Sequence, residues 1–422
     1  MFSFNRLSSW AMLIAVVWSL AQFVLIIVYS DLPLGWDAKL VYDAQAQLSA
    51  KLGMPYPTPQ NVNDIYLQGA GYVNLLALLY ALFGTYKPVL LLNAIMNIGI
   101  LCEVYYLAKR FFSKRTASIS VILFCLITTN FFAAIHVATE VPYLFFALSA
   151  FCLSLHKKLP YILLAGVLYA YAHTIRAIEL AFLVPSIVYY VFKKVSYKNY
   201  ITLLTPFLVI LISYGCYVKQ QTGYFYTSSS ITGFDLMFTA YDEADGGQDM
   251  SIWSQPNGVS YIENDANIHF AIKDSIRTER AIIWIKQHPS KYIYLCFKRI
   301  PLMFRNDSWS VPKFSAYDDI REIKKMADPQ KGHYILYFFQ TIYSSLFYIT
   351  GILFLISIIH YRKELVSEKG ILLLIFVLGV AGTCLIGMQA RYHYPYVFIM
   401  ILFASYRLSN VAKGKSRHKD ST

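Results

Sequence analysis

Charge is scarce in this sequence. Only 14% of its 422 residues are charged, against about 25% in soluble domains. That scarcity excludes a soluble enzyme and a disordered chain. Cysteine is sparse too. Cys102, Cys125, Cys152, Cys216 and Cys384 sit in apolar stretches as small hydrophobes, and Cys296 lies outside them without a sequence partner. There is no CxxC and no His/Cys cluster, which excludes a disulfide-stapled module and supplies no metal or redox pattern. Internal repeats and low-complexity segments are missing as well. In their place the chain has apolar bulk, with 57% hydrophobic residues and a mean hydropathy of +0.46. Such a chain needs an apolar solvent and is expected to be an all-α polytopic membrane protein.

A bilayer core of roughly 30 Å takes about 20 apolar residues per helix. About ten spans are expected, over residues 10–29, 88–108, 117–133, 141–155, 160–172, 178–192, 201–218, 335–359, 371–388 and 396–406. The first reads as a retained helix, because no small-residue cleavage pattern follows it. A further apolar run, 71–83, competes for span status, and orientation decides the matter. With that run left out, one side of the membrane collects 18 basic residues against three acids, a net of +15 that leaves −2 for the rest of a chain of net +13. That is the positive-inside pattern. Were 71–83 to span, KRFFSKRT would face outward, so the run is expected as an amphipathic or re-entrant element of the outer loop. The basicity is thus a topology signal and not a nucleic-acid surface. The expected organisation is a membrane module over 1–218 with a first outer loop at 31–87, a large outer loop at 219–334, and C-terminal spans with a basic cytoplasmic tail at 335–422.

Ionisable groups at bilayer depth are costly and mark function, and those noted here fall near the outer face. GWDAKLVYDAQAQL follows the first span. Its Asp37 and Asp43 are six apart and so lie on different helical faces. Asp37 reads either as a helix N-cap or as a functional carboxylate. Thr139, Glu140 and Pro142 open a span, where Thr caps and Glu complements the dipole, or where Glu140 faces the same outer cavity as Asp37. Arg176 and Glu179 stand at i,i+3 and suit an intrahelical pair, although Arg176 also suits a phosphate. In RYHYP, Arg391 either snorkels or joins His393 and Tyr392 around an anionic headgroup. Residues 281–304 interleave apolar side chains with Lys286, Lys291, Lys298 and Arg299, as expected of an amphipathic helix broken at Pro289 and lying on the outer membrane face. YDEADGGQDM carries Asp242, Glu243, Asp245 and Asp249 without calcium-loop spacing, so it reads as a solvated turn.

The order of these features carries a resemblance. GWDAKLVYDAQAQL, PVLLLNAIMNIGILCEVYYLAKRFFSKRTASISVILF, ATEVPY, HTIRAIEL and QARYHYP together resemble the GT-C glycosyltransferases. More narrowly they are similar to the protein O-mannosyltransferase-like branch that includes the lipid A aminoarabinose transferases. The likeness covers most of 1–218 and the last spans, and it fades over 219–334. It implies a polyprenyl-phosphate sugar donor, a glycan, lipid or protein acceptor, and an extracytoplasmic active site in a multi-pass bacterial cell-membrane protein with both termini cytoplasmic. It implies Asp37 as general base with Glu140 as the second-loop acid. Arg391, Arg176 and His393 would bind the donor phosphate, with Asp43 and Tyr392 as secondary candidates. Many members have Asp-Glu where this chain has Asp37-Ala38. No metal site is evident, and the sequence leaves a divalent cation open. The competing functions are a flippase or transporter, and a polymerase or ligase, acting on lipid-linked surface polysaccharide.

Overall fold

The computed structural model describes residues 4–31, 34, 37–247, 252, 255, 258–311, 334, 338, 340–387 and 389–419. Among them there are helices and no strand. The first half comprises α1 (Phe4–Tyr29), a π-helical turn (Asp37–Asp43), α2 (Ala44–Leu52), α3 (Ala70–Phe83), α4 (Pro88–Phe111), α5 (Lys114–Leu126), α6 (Thr128–Phe132), α7 (Glu140–Ser154), α8 (Leu159–Ile175), α9 (Leu180–Phe192) and α10 (Tyr197–Thr222). The second half comprises α11 (Thr232–Met237), α12 (Phe270–Gln287), α13 (Pro289–Met303), α14 (Ser345–His360), α15 (Lys369–Ile386) and α16 (Val397–Lys419). Four described helices (α1, α4, α10 and α15) are long and apolar enough to cross a membrane alone, or five spans with the bent pair α5–α6. Helices α7, α8, α9 and α14 have 15, 17, 13 and 16 residues. At about 1.5 Å per residue they fall short of the hydrocarbon core, a length tolerated where neighbours surround them. Helix α3, the run expected not to span, has 14 residues.

Local chemistry sets the ends. Pro88 opens α4 and Lys109 with Arg110 close it, the placement that fixed φ and the helix dipole favour. Ser113 caps α5 by accepting from the Thr116 amide. Between α5 and α6 the axis turns by 69°, because Ile127 is extended (φ −71°, ψ 118°). Asn130 Nδ2 donates to the freed Phe124 carbonyl at 3.0 Å, so the break leaves no orphan there. That turn brings the chain round to Glu140 at the start of α7.

Helices α7 and α8 form the centre. Tyr143, Phe151, Tyr169 and Phe182 are fully buried around them, while α1 presents Met12, Val17 and Ile27 outward. The described parts of the segments expected to be outer loops are bonded to one another beside this bundle. Leu67 and Ser230 exchange bonds, Leu67 N–H to Ser230 Oγ at 2.7 Å and Ser230 N–H to the Leu67 carbonyl at 3.0 Å. Phe270 N–H donates to Val62 at 2.8 Å. The expected break at Pro289 is present, between α12 and α13. Arg299, however, is not a membrane-surface cation. It is fully buried and donates to the Cys384 and Thr239 carbonyls, each at 2.7 Å. Thr239 Oγ1 donates to Ile386 at 3.1 Å, and Tyr292 Oη donates to Leu385. The last carbonyls of α15 lack intrahelical partners, and the large outer segment supplies them.

Candidate active site

Four of the expected residues converge, Glu140, Arg176, Arg391 and Tyr392. Glu140 begins α7 as expected and is 1% exposed. Thr139 precedes it without a side-chain cap bond. Arg176 Nη1 approaches Glu140 Oε1 at 3.3 Å, and Arg391 Nε approaches the same oxygen at 3.6 Å. Neither oxygen of Glu140 takes a hydrogen bond among the described residues. The carboxylate therefore holds the guanidiniums by charge and leaves their fork geometry to other acceptors. Arg176 also lies over the Tyr392 ring, 5.2 Å from its centroid, and Arg391 Nε donates to Gln389 Oε1 at 2.7 Å.

The Arg176–Glu179 pair expected from i,i+3 spacing does not form. Arg176 ends α8 in an extended conformation (φ −150°, ψ 126°), whereas Glu179 precedes α9. The two are not on one helix, so the spacing rule does not apply. Glu179 is fully buried and pairs with His173 Nδ1 at 2.8 Å.

The guanidiniums line a cavity of about 230 Å³ shared by Tyr42, Gln68, Thr139, Asp235, Gln389 and Tyr392, among others. Two glycines allow the close approaches that shape it. A Cβ on Gly69 would stand 2.2 Å from the Ile175 carbonyl oxygen, and one on Gly379 would stand 2.0 Å from the Tyr396 ring. The first outer loop thus lies directly on the end of α8, and the Arg391 turn lies directly on α15.

His393 and Asp43 stand apart from this cavity. His393 is fully buried, with Nδ1 on the Met303 carbonyl and Nε2 on Asp307 Oδ1, both at 2.8 Å. Both ring nitrogens are engaged in tying α13 to the Arg391 turn. Asp43 is buried and accepts from Tyr80 Oη and from Gln47 Nε2, the latter at 2.9 Å. Asp37 opens the π-helical turn, and its side chain lies outside the described residues, as do Trp36 and Asp249. Asp242 accepts from Trp284 Nε1 at 2.8 Å. Burial pushes His136 below the usual imidazole range, in keeping with a neutral ring whose Nε2 faces the Ser310 carbonyl at 2.6 Å.

Sequence reasoning missed Tyr42, Gln68, Asp235 and Gln389. Asp235 sits in TGFDLM within the large outer segment, where no spacing rule singles it out. It also missed Glu103, an acid inside α4 that accepts from Ser149 Oγ.

No protein-family model matches the sequence, and no curated protein does. Solved structures do. The apo oligosaccharyltransferase of Archaeoglobus fulgidus matches with a TM-score of 0.50 at 12% identity, over 97% of this chain and 51% of that one. This is the GT-C fold. The same archaeal enzyme, AglB, in complex with an inhibitory peptide and a dolichol-phosphate, matches with a TM-score of 0.48 at 13% identity over 97% and 51% of the two chains. ArnT from Cupriavidus metallidurans, in the apo state, matches with a TM-score of 0.42 at 12% identity over 94% and 78%. The GT-C chain described here therefore spans about half the length of the oligosaccharyltransferase. At these identities the likeness concerns the fold alone.

Proposed function

We propose that the chain is a membrane glycosyltransferase that moves a sugar from a polyprenyl-phosphate donor to an acceptor hydroxyl on the extracytoplasmic face. The observation that carries the reading is the pair Arg176 and Arg391 on one buried carboxylate at a cavity wall. Two guanidiniums against one carboxylate leave a local charge of +1, which suits a departing phosphate. A phosphate needs no acid to leave, but its developing charge needs fixed cations. The acceptor needs a base, worth typically about 10²–10⁴-fold. Asp37 takes that role in this reading. Glu140 meets the arginines and Asp43 accepts from Tyr80 and Gln47; Asp235, which lines the same cavity as the arginines, is the second candidate. His393 positions the Arg391 turn through Asp307 and does not bind phosphate. Glu140, Arg176 and Arg391 gathered at helix ends on one side of the bundle favour this reading over a transporter, whose sites lie near the midplane.

The test uses the purified chain with a synthetic polyprenyl-phosphate sugar. Asp37→Asn should lower turnover by at least about a hundredfold, within the range of a lost base. Arg391→Lys keeps the charge but loses the planar fork, and it should lower turnover by a similar factor with little change in KM. Wild-type turnover in both variants would overturn the assignment. No turnover by the parent with any such donor would overturn the function.

A further inference from the structure

A second cavity, of about 490 Å³, lies beside the first. It falls in the roughly 300–1,000 Å³ range of small-molecule sites. Tyr66 and Gln68 line both cavities. The remaining walls come from the first loop, from the turn Asp265–Asn267 and from α12, and besides Tyr56 their polar side chains are Gln45, Asn63, Asp64, Asp265 and Lys273.

These walls are built. Lys273, 1% exposed, donates to the carbonyls of Asn63 at 3.0 Å and Asp265 at 2.9 Å. Asp64 Oδ2 accepts from Gln45 Nε2 at 3.0 Å and from Asn61 Nδ2 at 2.9 Å. The chemistry selects among ligands. An anion meets two carboxylates and one ammonium whose bonds go to backbone. A hydrocarbon tail would strip water from five polar side chains without replacing it. A neutral polyhydroxyl ligand satisfies the walls, because each hydroxyl donates to a carboxylate or amide oxygen and accepts from an amide N–H. Tyr66 offers a ring beside it.

We propose that this second cavity is the acceptor site and that it holds a neutral sugar of a glycan acceptor. The inference rests on the transferase reading above. The acceptor hydroxyl would pass Tyr66 and Gln68 to reach the arginine-lined cavity. Its oxygen attacks the anomeric carbon, and the bond from that carbon to the phosphate oxygen breaks. The electron pair leaves with the phosphate, and the hydroxyl proton goes to Asp37.

The experiment measures binding of fluorescently labelled neutral oligosaccharides and of their uronic-acid counterparts to the full chain in nanodiscs. Binding of polyprenyl phosphate is measured in parallel. Neutral glycans should bind and acidic ones should not. Asp265→Asn, and Asn63→Ala as an exposed-loop variant that leaves the fold alone, should each weaken glycan binding by up to about tenfold, the scale of one hydrogen bond. Polyprenyl-phosphate binding should stay unchanged in both. Arg391→Lys should weaken binding of polyprenyl phosphate, the leaving product whose full charge the sugar-linked donor lacks, and leave glycan binding unchanged. Preference for acidic glycans, or neutral binding that neither cavity variant alters, overturns the proposal. Glycan binding that maps to this cavity in a protein that never turns over a donor keeps the sugar site and overturns the transferase reading alone.

Discussion

At the scale of single residues, the site turns on which charge meets which. Glu140 is buried between two cations that approach it at 3.3 and 3.6 Å. Replacing it by Gln leaves two guanidiniums facing one another at a wall largely shielded from water. Breaking a buried pair in this way costs on the order of 3 kcal/mol, so Glu140→Gln should lower the thermal stability of the detergent-solubilised protein and abolish transfer together. Unchanged stability would mean that Tyr392 and Gln389 hold the arginines without it. Asp64 gives a pH signature. Burial raises its carboxyl from 3.8 to about 6. The folded state then prefers the neutral acid, so this contribution to stability is fully present below the unfolded value and is lost as pH rises through about 6. Asp64→Asn stays neutral throughout. Its melting temperature relative to the parent should climb between pH 4 and pH 6 and level off above, as read by thermal scans across that window. A flat difference would contradict the assignment.

At the scale of elements, helix ends decide the geometry. The break at Ile127, the extended residue Arg176 and the start of α7 bring segments far apart in sequence to one spot. Gly69 makes the tightest approach to backbone beside the site, 2.2 Å from the Ile175 carbonyl oxygen for an added Cβ. Backbone cannot yield as a flexible side chain does, so Gly69→Ala should push the first outer loop off α8. The expected result is a loss of transfer of at least about tenfold with polyprenyl-phosphate binding also weakened, since Arg176 directly follows Ile175. Kinetics beside a binding curve check this. A variant with parental values would show that the loop relaxes without moving the arginine.

At the scale of the whole molecule, the charge segregation makes a topological statement. Lys114 should face the cytoplasm and Gln60 the outside. Both are exposed, and all six native cysteines are free. Single cysteines at these two positions, in a cysteine-free background, can be probed in intact cells with an impermeant thiol reagent. Label at position 60 and not at 114 is the expected result. The opposite pattern would invert the orientation and place the arginine cavity inside.

Composition and hydropathy by themselves determined the helical membrane class, since burial in lipid forces every backbone group into helices. The span expected from 88 begins where α4 begins, as a proline in the first turn allows, whereas the span expected from 117 starts three residues inside α5. Glu140, Arg176 and Arg391 were visible as charges next to apolar runs. Their common contact was not, because 215 positions separate Arg176 from Arg391 and no local rule spans that distance. Local spacing instead favoured Arg176 with Glu179, and the extended residue at the end of α8 undid it. Asp307 on His393, Arg299 on the end of α15, and the second cavity between Asp64 and Lys273 follow from how the outer segments pack on the bundle. Only the tertiary structure decided them, because burial assigns partners by proximity in space, and sequence records neighbours along the chain.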